Sequence, residues 1–177
     1  MESFIAILSP FFKRPLRAFH IREIAKVTRI SHTAVRRYLK KLEKEEFLIK
    51  KPTKPYPTFS ANLSSKKYLN LKLFYNLEKI RESGIVESLE HKLSYPTIVL
   101  FGSFAKALDD ENSDVDICVL TDANANLDLK DFEKEIERPV SLHIFNRKKW
   151  DESKEKNPDM INNICNGIVL SGQIEVL

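Results

Sequence analysis

The stretch that decides how this chain folds is FGSFAKALDDENSDVDICVL, residues 101–120. A Gly-Ser pair follows Phe101, five acidic side chains lie between 109 and 116, and the stretch ends in an apolar run. A second apolar run, residues 96–101, leads into the Gly-Ser pair. Because side chains alternate between the faces of a strand, Asp114 and Asp116 should project to one side and their apolar neighbours to the other. The sequence therefore predicts two strands, with two carboxylates side by side where the second begins.

This pair of carboxylates indicates a cation site. Two adjacent carboxylates repel each other, and burying their charge costs several kcal/mol unless a cation neutralises it. Magnesium prefers carboxylates together with substrate phosphates. Upstream, Gly102 allows the backbone to approach a ligand, and a helix beginning near Ser103 would offer N–H groups to phosphate. A phosphate site and a metal site on adjacent strands together describe a nucleoside triphosphate with its magnesium ion.

Other sequence motifs for phosphate or metal binding do not fit. The chain has no glycine-rich loop ending in Gly-Lys-Ser/Thr and no dinucleotide-binding fingerprint. A calcium loop starting at Asp110 would require glycine at Val115 and glutamate at Thr121. The remaining alternative is an acidic surface loop, solvated and without a ligand, that leads into a strand.

The combination of a Gly-Ser pair after one apolar strand with two alternating aspartates at the next resembles a known family. This family is the nucleotidyltransferase superfamily that includes DNA polymerase beta, and especially its minimal bacterial and archaeal members. The family pattern is a hydrophobic residue, Gly-Ser, a short gap and Asp-hydrophobic-Asp. It is matched by Phe101-Gly102-Ser103 and Asp114-Val115-Asp116, and the resemblance extends roughly over residues 95–170. It implies a small mixed sheet flanked by helices. It also implies transfer of a nucleoside monophosphate from a triphosphate, with ATP as the expected donor, to an acceptor.

The resemblance also assigns roles to individual residues. Ser103, next to Gly102, would hold the triphosphate, and Lys106 stands where it could assist with phosphate. Asp114 and Asp116 would bind catalytic Mg2+.

One part of the family pattern is missing. Active members supply a third carboxylate from a later strand, which helps to place a second metal ion. The corresponding strand here, residues 139–145, contains no Asp or Glu. Ser141, His143 and Phe145 would face the site. His143 is the candidate catalytic base or ligand, a structural histidine is the alternative, and Glu137 just before the strand is a further candidate carboxylate.

Charge divides the chain into a basic front and an acidic back. Residues 1–62 carry 14 Lys and Arg against 5 Asp and Glu, whereas residues 95–177 carry 9 against 16. Such asymmetry within one chain indicates two domains with different partners. The front would favour polyanions and the back would favour cations.

The sequence of the basic front, residues 1–62, predicts an order of helices and strands. Apolar spacing predicts helices over residues 3–12, 20–27 and 31–46, with Ser31 as the N-cap of the third. Two short strands follow, around a basic, proline-stiffened loop at residues 50–55. This order resembles a winged helix-turn-helix DNA-binding domain and covers about the first third of the chain.

That resemblance implies that the third helix enters a major groove of duplex DNA while the hairpin touches the flanking backbone. Four residues would lie nearest the bases, namely His32, Thr33, Arg36 and Arg37. Five lysines would contact phosphates, namely Lys40, Lys41, Lys50, Lys51 and Lys54. The alternatives are a solvated charged face and a winged helix that binds protein instead of DNA.

We therefore predict an α+β protein in three parts. Residues 1–62 form the winged helix-turn-helix domain, residues 63–94 a helical connector interrupted near Gly84, and residues 95–177 a small mixed-sheet nucleotidyltransferase-like domain. The connector either packs on both neighbours or forms the seam of a homodimer. No apolar stretch approaches membrane-spanning length, and the two cysteines lie in apolar contexts that suggest a reducing compartment. We expect no membrane partner and a cytoplasmic location.

Two functions follow from this organisation. The first is a magnesium-dependent nucleotidyltransferase that carries its own DNA-binding domain. A variant of it resembles antitoxins of the minimal nucleotidyltransferase type, which modify a partner toxin with AMP, so the acceptor would be a protein. The second is a winged-helix regulator whose back half senses nucleotide or is catalytically inactive.

Overall fold

The computed structural model describes residues 2–123, 125 and 127–174. The chain divides into two compact units, residues 1–72 and 73–177. The division lies within a helix that covers Lys66–Glu82, and the three-part division made from the sequence stays a prediction. Helices and strands occur in both units, so the fold combines α and β structure as predicted.

The first unit begins with three helices and a small antiparallel sheet. In chain order its elements are α1 (Glu2–Lys13), β1 (Phe19–His20), α2 (Ile21–Thr28), α3 (His32–Lys44), β2 (Leu48–Lys51) and β3 (Thr58–Ala61). The strand order is β1-β3-β2, and both neighbours of β3 run antiparallel to it. The three predicted helices and the two hairpin strands are confirmed. Strand β1 was not predicted, because a strand of two residues is too short to show an alternation of apolar and polar side chains.

Helix α1 contains Pro10 and, as predicted, continues past it. Proline has no N–H, so the carbonyl one turn earlier loses its helical donor. The Ser9 hydroxyl donates a hydrogen bond to that carbonyl, on Ala6, at 3.1 Å. A side chain thus supplies the donor that the proline lacks, and the helix extends to Lys13.

Helix α3 is held by one apolar stripe. Val35, Leu39 and Leu42 are fully buried, which leaves its charged residues on the outer surface. The predicted cap is confirmed, because the Ser31 hydroxyl accepts a hydrogen bond from the Ala34 N–H at 3.3 Å. The cap and the stripe together fix which side chains of α3 face solvent.

Two helices occupy the middle of the chain, α4 (Lys66–Glu82) and α5 (Ile85–Lys92). The break predicted at Gly84 is confirmed. Gly84 has a φ of 75° and stands directly before α5, a left-handed conformation that glycine adopts without a steric penalty.

The second unit contains a four-stranded mixed sheet. Its further elements are β4 (Thr97–Phe101), β5 (Val115–Leu120), α6 (Lys130–Ile136), β6 (Val140–Phe145), α7 (Arg147–Lys156), α8 (Pro158–Cys165) and β7 (Ile168–Ser171). The strand order is β6-β5-β4-β7, with β5 and β6 parallel and β4 antiparallel to both of its neighbours. The predicted strands β4, β5 and β6 are confirmed. Strand β7 was not predicted, because four mostly apolar residues are too few to show a distinct strand pattern.

The two faces of this sheet have different roles. One face presents Leu100, Ile117 and Val119 to a core that includes Ile85 and Leu89 of α5. The other face presents Val99 and Cys118 to a second core built with α7 and α8, through Trp150, Ile161 and Ile164. Asp116 alternates with Ile117 and therefore belongs to the second face, at its edge.

Both cysteines are free. Burial raises the pKa of the Cys118 thiol to about 12, so this group stays protonated and behaves as an apolar core side chain. In the described part of the chain, none of the helices has both the length and the apolar character needed to cross a membrane.

Candidate functional site

Asp116 lies in the second position of β5, where the strand leaves the acidic loop. It pairs with Phe101 of β4 on one side and with Ser141 of β6 on the other. Asp114 precedes the strand and is exposed. Its negative charge raises the pKa of Asp116, which places the two carboxylates close enough to interact.

Strand β6 brings Ser141 and His143 to the same face as Asp116. Parallel partners share a face, and the register pairs Asp116 with Ser141 and Cys118 with His143. The His143 Nε2 atom lies 3.8 Å from Asp116 Oδ1 and 3.2 Å from the Ser141 hydroxyl oxygen. Residues Asp114, Asp116, Ser141 and His143 are called the carboxylate site below.

The environment of Asp116 disfavours its negative charge. Burial is the largest cause of a raised pKa for this carboxyl, the positive charge of protonated His143 opposes the rise, and Asp114 adds to it. Although partly buried, both Asp116 and His143 keep about a third of their side-chain surface in contact with solvent. A ligand from solution can therefore reach both groups.

Gly102 forms the turn directly against Asp116. Its φ is 73°, and a Cβ atom built there would overlap the Asp116 carboxylate, with the carboxyl carbon at 3.1 Å. No other residue type fits this position without displacing Asp116. The sequence singled out Gly102 for a close approach, and the close approach in the structure is to the predicted metal ligand.

The loop after Gly102 differs from the expected helix start. Residues Phe104–Lys106 form one turn of 3-10 helix, ended by Ala107 with a φ of 55°. A single turn offers few free N–H groups, so a phosphate held by a helix N-terminus is not supported here. Lys106 is exposed, and its ammonium donates a hydrogen bond to Asn163 Oδ1 of α8 at 3.3 Å.

A buried polar link, missed from the sequence, holds this loop. The Asn76 side-chain amide donates to the Phe104 carbonyl at 3.0 Å and to Asp109 Oδ1 at 2.8 Å. Asn76 and Asp109 are both only 2% exposed. An asparagine within a helical pattern and an aspartate in an acidic loop gave no sign of this contact. The link positions the segment between the Gly-Ser turn and the acidic loop.

The other candidate carboxylate, Glu137, does not act on Asp116 in this structure. It follows α6 with a φ of 61°. Burial raises the pKa of Tyr75 to about 12, and the charge of Glu137 contributes to that rise. Glu137 therefore lies close to Tyr75, whereas His143 of β6 is the group that approaches Asp116, at 3.8 Å.

The donor set fits a cation that is only partly coordinated by protein. Asp114 and Asp116 offer the oxygen ligands that Mg2+ prefers. Within residues 2–123, 125 and 127–174, no three His, Cys, Asp or Glu side chains are grouped closely enough to hold an ion by themselves. Magnesium commonly binds through one or two carboxylates with substrate phosphates and water completing the shell, and the site matches that mode.

All nine residues predicted to contact DNA are exposed, and they form what is called the basic surface below. They are His32, Thr33, Arg36, Arg37, Lys40 and Lys41 on α3, and Lys50, Lys51 and Lys54 on the hairpin of β2 and β3. Lys41 pairs with Glu45 at 3.8 Å.

Part of the basic surface lines a groove of about 550 Å³ between α3 and the hairpin. One stripe of α3 faces the groove, whereas Thr33, Arg37 and Lys41 lie on the neighbouring stripe. The lining also contains residues that were not predicted, among them the acidic Glu23 and Glu43. Arg22 of α2 and Tyr56 of the hairpin belong to it too, with the guanidinium 5.5 Å from the ring centre. The predicted residues in the lining are His32, Arg36, Lys40 and Lys50.

A comparison with protein families gives a match. Residues 82–165 match the family model described as a nucleotidyltransferase domain. The matched range contains the Gly102 turn, β5 with Asp116, and β6 with His143, and it leaves the basic surface outside. A comparison with curated proteins found no match. The family match supports nucleotidyl transfer as the general activity of this part of the chain.

Proposed function

We propose that this chain is a magnesium-dependent nucleotidyltransferase, which transfers a nucleoside monophosphate from a triphosphate, with ATP as the expected donor, to an acceptor. The observation that carries the proposal is the position of Asp116 against the Gly102 turn, inside the region that matches the nucleotidyltransferase domain. A carboxylate beside a close-approach glycine places a cation ligand next to backbone that can contact phosphate.

Each group at the site has a role in this proposal. Asp114 and Asp116 would hold the ion, which when bound neutralises charge on the phosphates and orients them. The backbone at Gly102, the Ser103 hydroxyl and the Lys106 ammonium would bind the triphosphate.

The reaction balances without further reactants. An acceptor oxygen attacks the α-phosphorus and forms a new P–O bond. The bond from the α-phosphorus to the oxygen that bridges to the β-phosphate breaks, and pyrophosphate leaves. The acceptor proton passes to a base. His143 presents Nε2 to this space, where it could accept that proton or bind the ion.

We also propose that the first unit binds duplex DNA as a winged helix-turn-helix domain. Three observations support this: the order of α2, α3 and an antiparallel hairpin, the exposure of the whole basic surface, and the groove between α3 and the hairpin. In this arrangement α3 would lie in the major groove, and the hairpin lysines would contact phosphates. The three-part division, a cytoplasmic location, a protein acceptor of the antitoxin kind and a homodimer seam in the connector remain part of the proposal.

A second candidate function rests on the missing third carboxylate. On the face that Asp116 shares with β6, the groups nearest to it are Ser141 and His143. A site with two carboxylates can bind nucleotide without transferring it. The second candidate is therefore a DNA-binding regulator whose nucleotidyltransferase-like unit senses nucleotide.

One experiment tests both candidates. The purified chain is incubated with nucleoside triphosphates labelled at the α-phosphate, with Mg2+, and with nucleic acid and protein fractions as acceptors. Label transferred by the native chain, and absent with Asp114→Asn plus Asp116→Asn, is expected for the enzyme. Nucleotide-dependent stabilisation without transfer would establish the sensor, and the absence of both would refute the proposal.

A further inference from the structure

We propose that the cation site at Asp116 includes the His143 imidazole and therefore binds a first-row transition-metal ion, with Co2+ as the probe, more tightly than Mg2+. This inference rests on the proposed function in one respect, namely that Asp116 holds a cation. It adds which ions the site selects and which residue makes the selection.

The separation of the two groups suits one ion between them. Two ligands that each lie about 2.1 Å from an ion are about 3.0 Å apart at adjacent corners of an octahedron and about 4.2 Å apart at opposite corners. His143 Nε2 and Asp116 Oδ1 are 3.8 Å apart, between these limits. Side-chain rotations alone can adjust the separation to either geometry.

The His143 ring is already oriented for coordination. Its Nε2 atom faces Asp116, and the Ser141 hydroxyl lies 3.2 Å from the same nitrogen. The edge-to-face contact with Phe101, at 5.3 Å between ring centres, restricts the ring plane. When Nδ1 carries the proton, the hydroxyl donates to the Nε2 lone pair, which is the lone pair that a metal ion would take. An arriving ion replaces one weak hydrogen bond and does not require the ring to turn.

Ligand chemistry then determines the preferred ion. Magnesium takes oxygen ligands almost exclusively, whereas imidazole nitrogen is a good ligand for zinc, copper, iron and nickel, and cobalt lies within the same series. A neutral imidazole also brings no negative charge to offset the dehydration of Mg2+, which loses water reluctantly. One carboxylate with one imidazole, and water completing the shell, therefore favours a transition-metal ion over Mg2+.

The test measures metal binding alone, without nucleotide. The metal-free full-length chain is titrated with Co2+ by calorimetry and visible absorption, and then with Mg2+ in competition. In the native chain we expect Co2+ to bind at least about tenfold more tightly than Mg2+. His143→Ala should weaken Co2+ binding about tenfold or more, since loss of even an outer partner of a ligand costs that much, while Mg2+ affinity changes less than about twofold.

Further variants sharpen the assignment. His143→Asp should raise Mg2+ affinity and remove the preference for Co2+. His143→Gln keeps the size of the side chain and should lose Co2+ as His143→Ala does, which covers the case in which alanine disturbs folding. Ser141→Ala should retain Co2+ binding. The matched control is His91→Gln, which removes an exposed histidine of α5 and should leave Co2+ binding at the site unchanged.

Two results would overturn the inference. The first is Co2+ affinity unchanged in His143→Ala and His143→Gln but lost in Asp116→Asn, since the ion would then bind without the imidazole. The second is loss of nucleotidyl transfer in the His143 variants with unchanged Co2+ affinity, which would make His143 a base. In both results the proposed function stands. If neither ion binds the native chain and Mg2+ with triphosphate produces no stabilisation, the proposed function fails as well.

Discussion

The basic surface of residues 1–72 and the carboxylate site of residues 73–177 use charge in opposite ways. The basic surface spreads nine exposed side chains over one helix and one hairpin, and seven of them are long Lys or Arg side chains. The carboxylate site places Asp116, Ser141 and His143 in partly buried positions fixed by strand register and by a glycine turn, with the exposed Asp114 beside them. Exposed charges individually contribute little and add up. We therefore expect single substitutions to have graded effects at the basic surface and abrupt effects at the carboxylate site.

The largest effect is expected for Gly102→Ala. The new Cβ would overlap the Asp116 carboxylate, and alanine at a φ of 73° adds strain of about 1–3 kcal/mol. Thermal denaturation with and without Mg2+ and triphosphate should show a less stable protein that gains nothing from the ligand. Gly84→Ala is the matched control, because its φ is 75° but nothing lies within 4 Å of the added atom. Gly84→Ala should lose stability through backbone strain but still be stabilised by Mg2+ with triphosphate. Equal stabilisation of both variants by the ligand would contradict the close approach of Gly102 to Asp116.

The second prediction concerns the carboxylate pair. Mg2+ with triphosphate should raise the melting temperature of the native chain, because a ligand that binds only the folded state stabilises it. Asp114→Asn with Asp116→Asn should abolish that gain and leave DNA binding by the first unit intact. A ligand-dependent shift that persists in the double variant would remove both aspartates from the proposed site.

A third prediction concerns the buried link behind the loop. Asn76→Ala removes two buried hydrogen bonds, to the Phe104 carbonyl and to the Asp109 carboxyl, and at about 0.5–1.5 kcal/mol each their loss costs about 1–3 kcal/mol. Urea denaturation should show a loss of that size. Asn163→Ala removes an amide from the exposed partner of Lys106 and should change stability by less than about 0.5 kcal/mol. Equal losses in the two variants would mean that burial is not what makes the link important.

A fourth prediction separates two neighbouring arginines of the basic surface. Arg36 lines the groove and Arg37 does not. Anisotropy of a labelled duplex, measured over a range of salt, should show steep salt dependence, with each lost phosphate contact reducing the slope by about 0.9. Arg36→Ala should weaken binding several-fold, Arg37→Ala less, and the double variant most. Salt-insensitive binding would count against DNA as the partner, and a larger effect of Arg37 would place the DNA outside the groove.

The smallest effect is expected for Asp116→Asn without metal. Because burial raises the pKa of Asp116, the folded state holds this proton more tightly than the unfolded state does. Ionisation therefore costs stability, and the cost appears as pH rises from the usual aspartate pKa of about 3.9 through the raised pKa of Asp116. The variant should be slightly more stable than the native chain at neutral pH and equal to it in acid. Melting temperatures measured against pH in the presence of a chelator check this, and a variant less stable at neutral pH would contradict it.

Features that depend on residues close together in the chain could be predicted from sequence, whereas features that depend on distant residues could not. Helix α3, its Ser31 cap and strands β4 and β5 depend on residues close in the chain, and their patterns were sufficient. The link between Asn76 and Asp109 joins residues 33 positions apart, and no local pattern encodes it. The approach of His143 to Asp116 depends on a parallel register, for which sequence gave only the correct face. The helix expected after Ser103 is cut to one turn because Ala107 adopts a left-handed conformation.

The parallel pairing of β5 with β6 also determines the stage of folding at which the carboxylate site is complete. A parallel pair needs a crossover, here the segment that contains α6, before its strands can meet. The antiparallel pair β4 and β5 can bring the Gly102 turn to Asp116 while the rest of the sheet is still unformed. His143 joins only after the crossover has closed, a slower event because it depends on non-local contacts. A chain emerging from the ribosome would thus acquire its carboxylates first and its imidazole last.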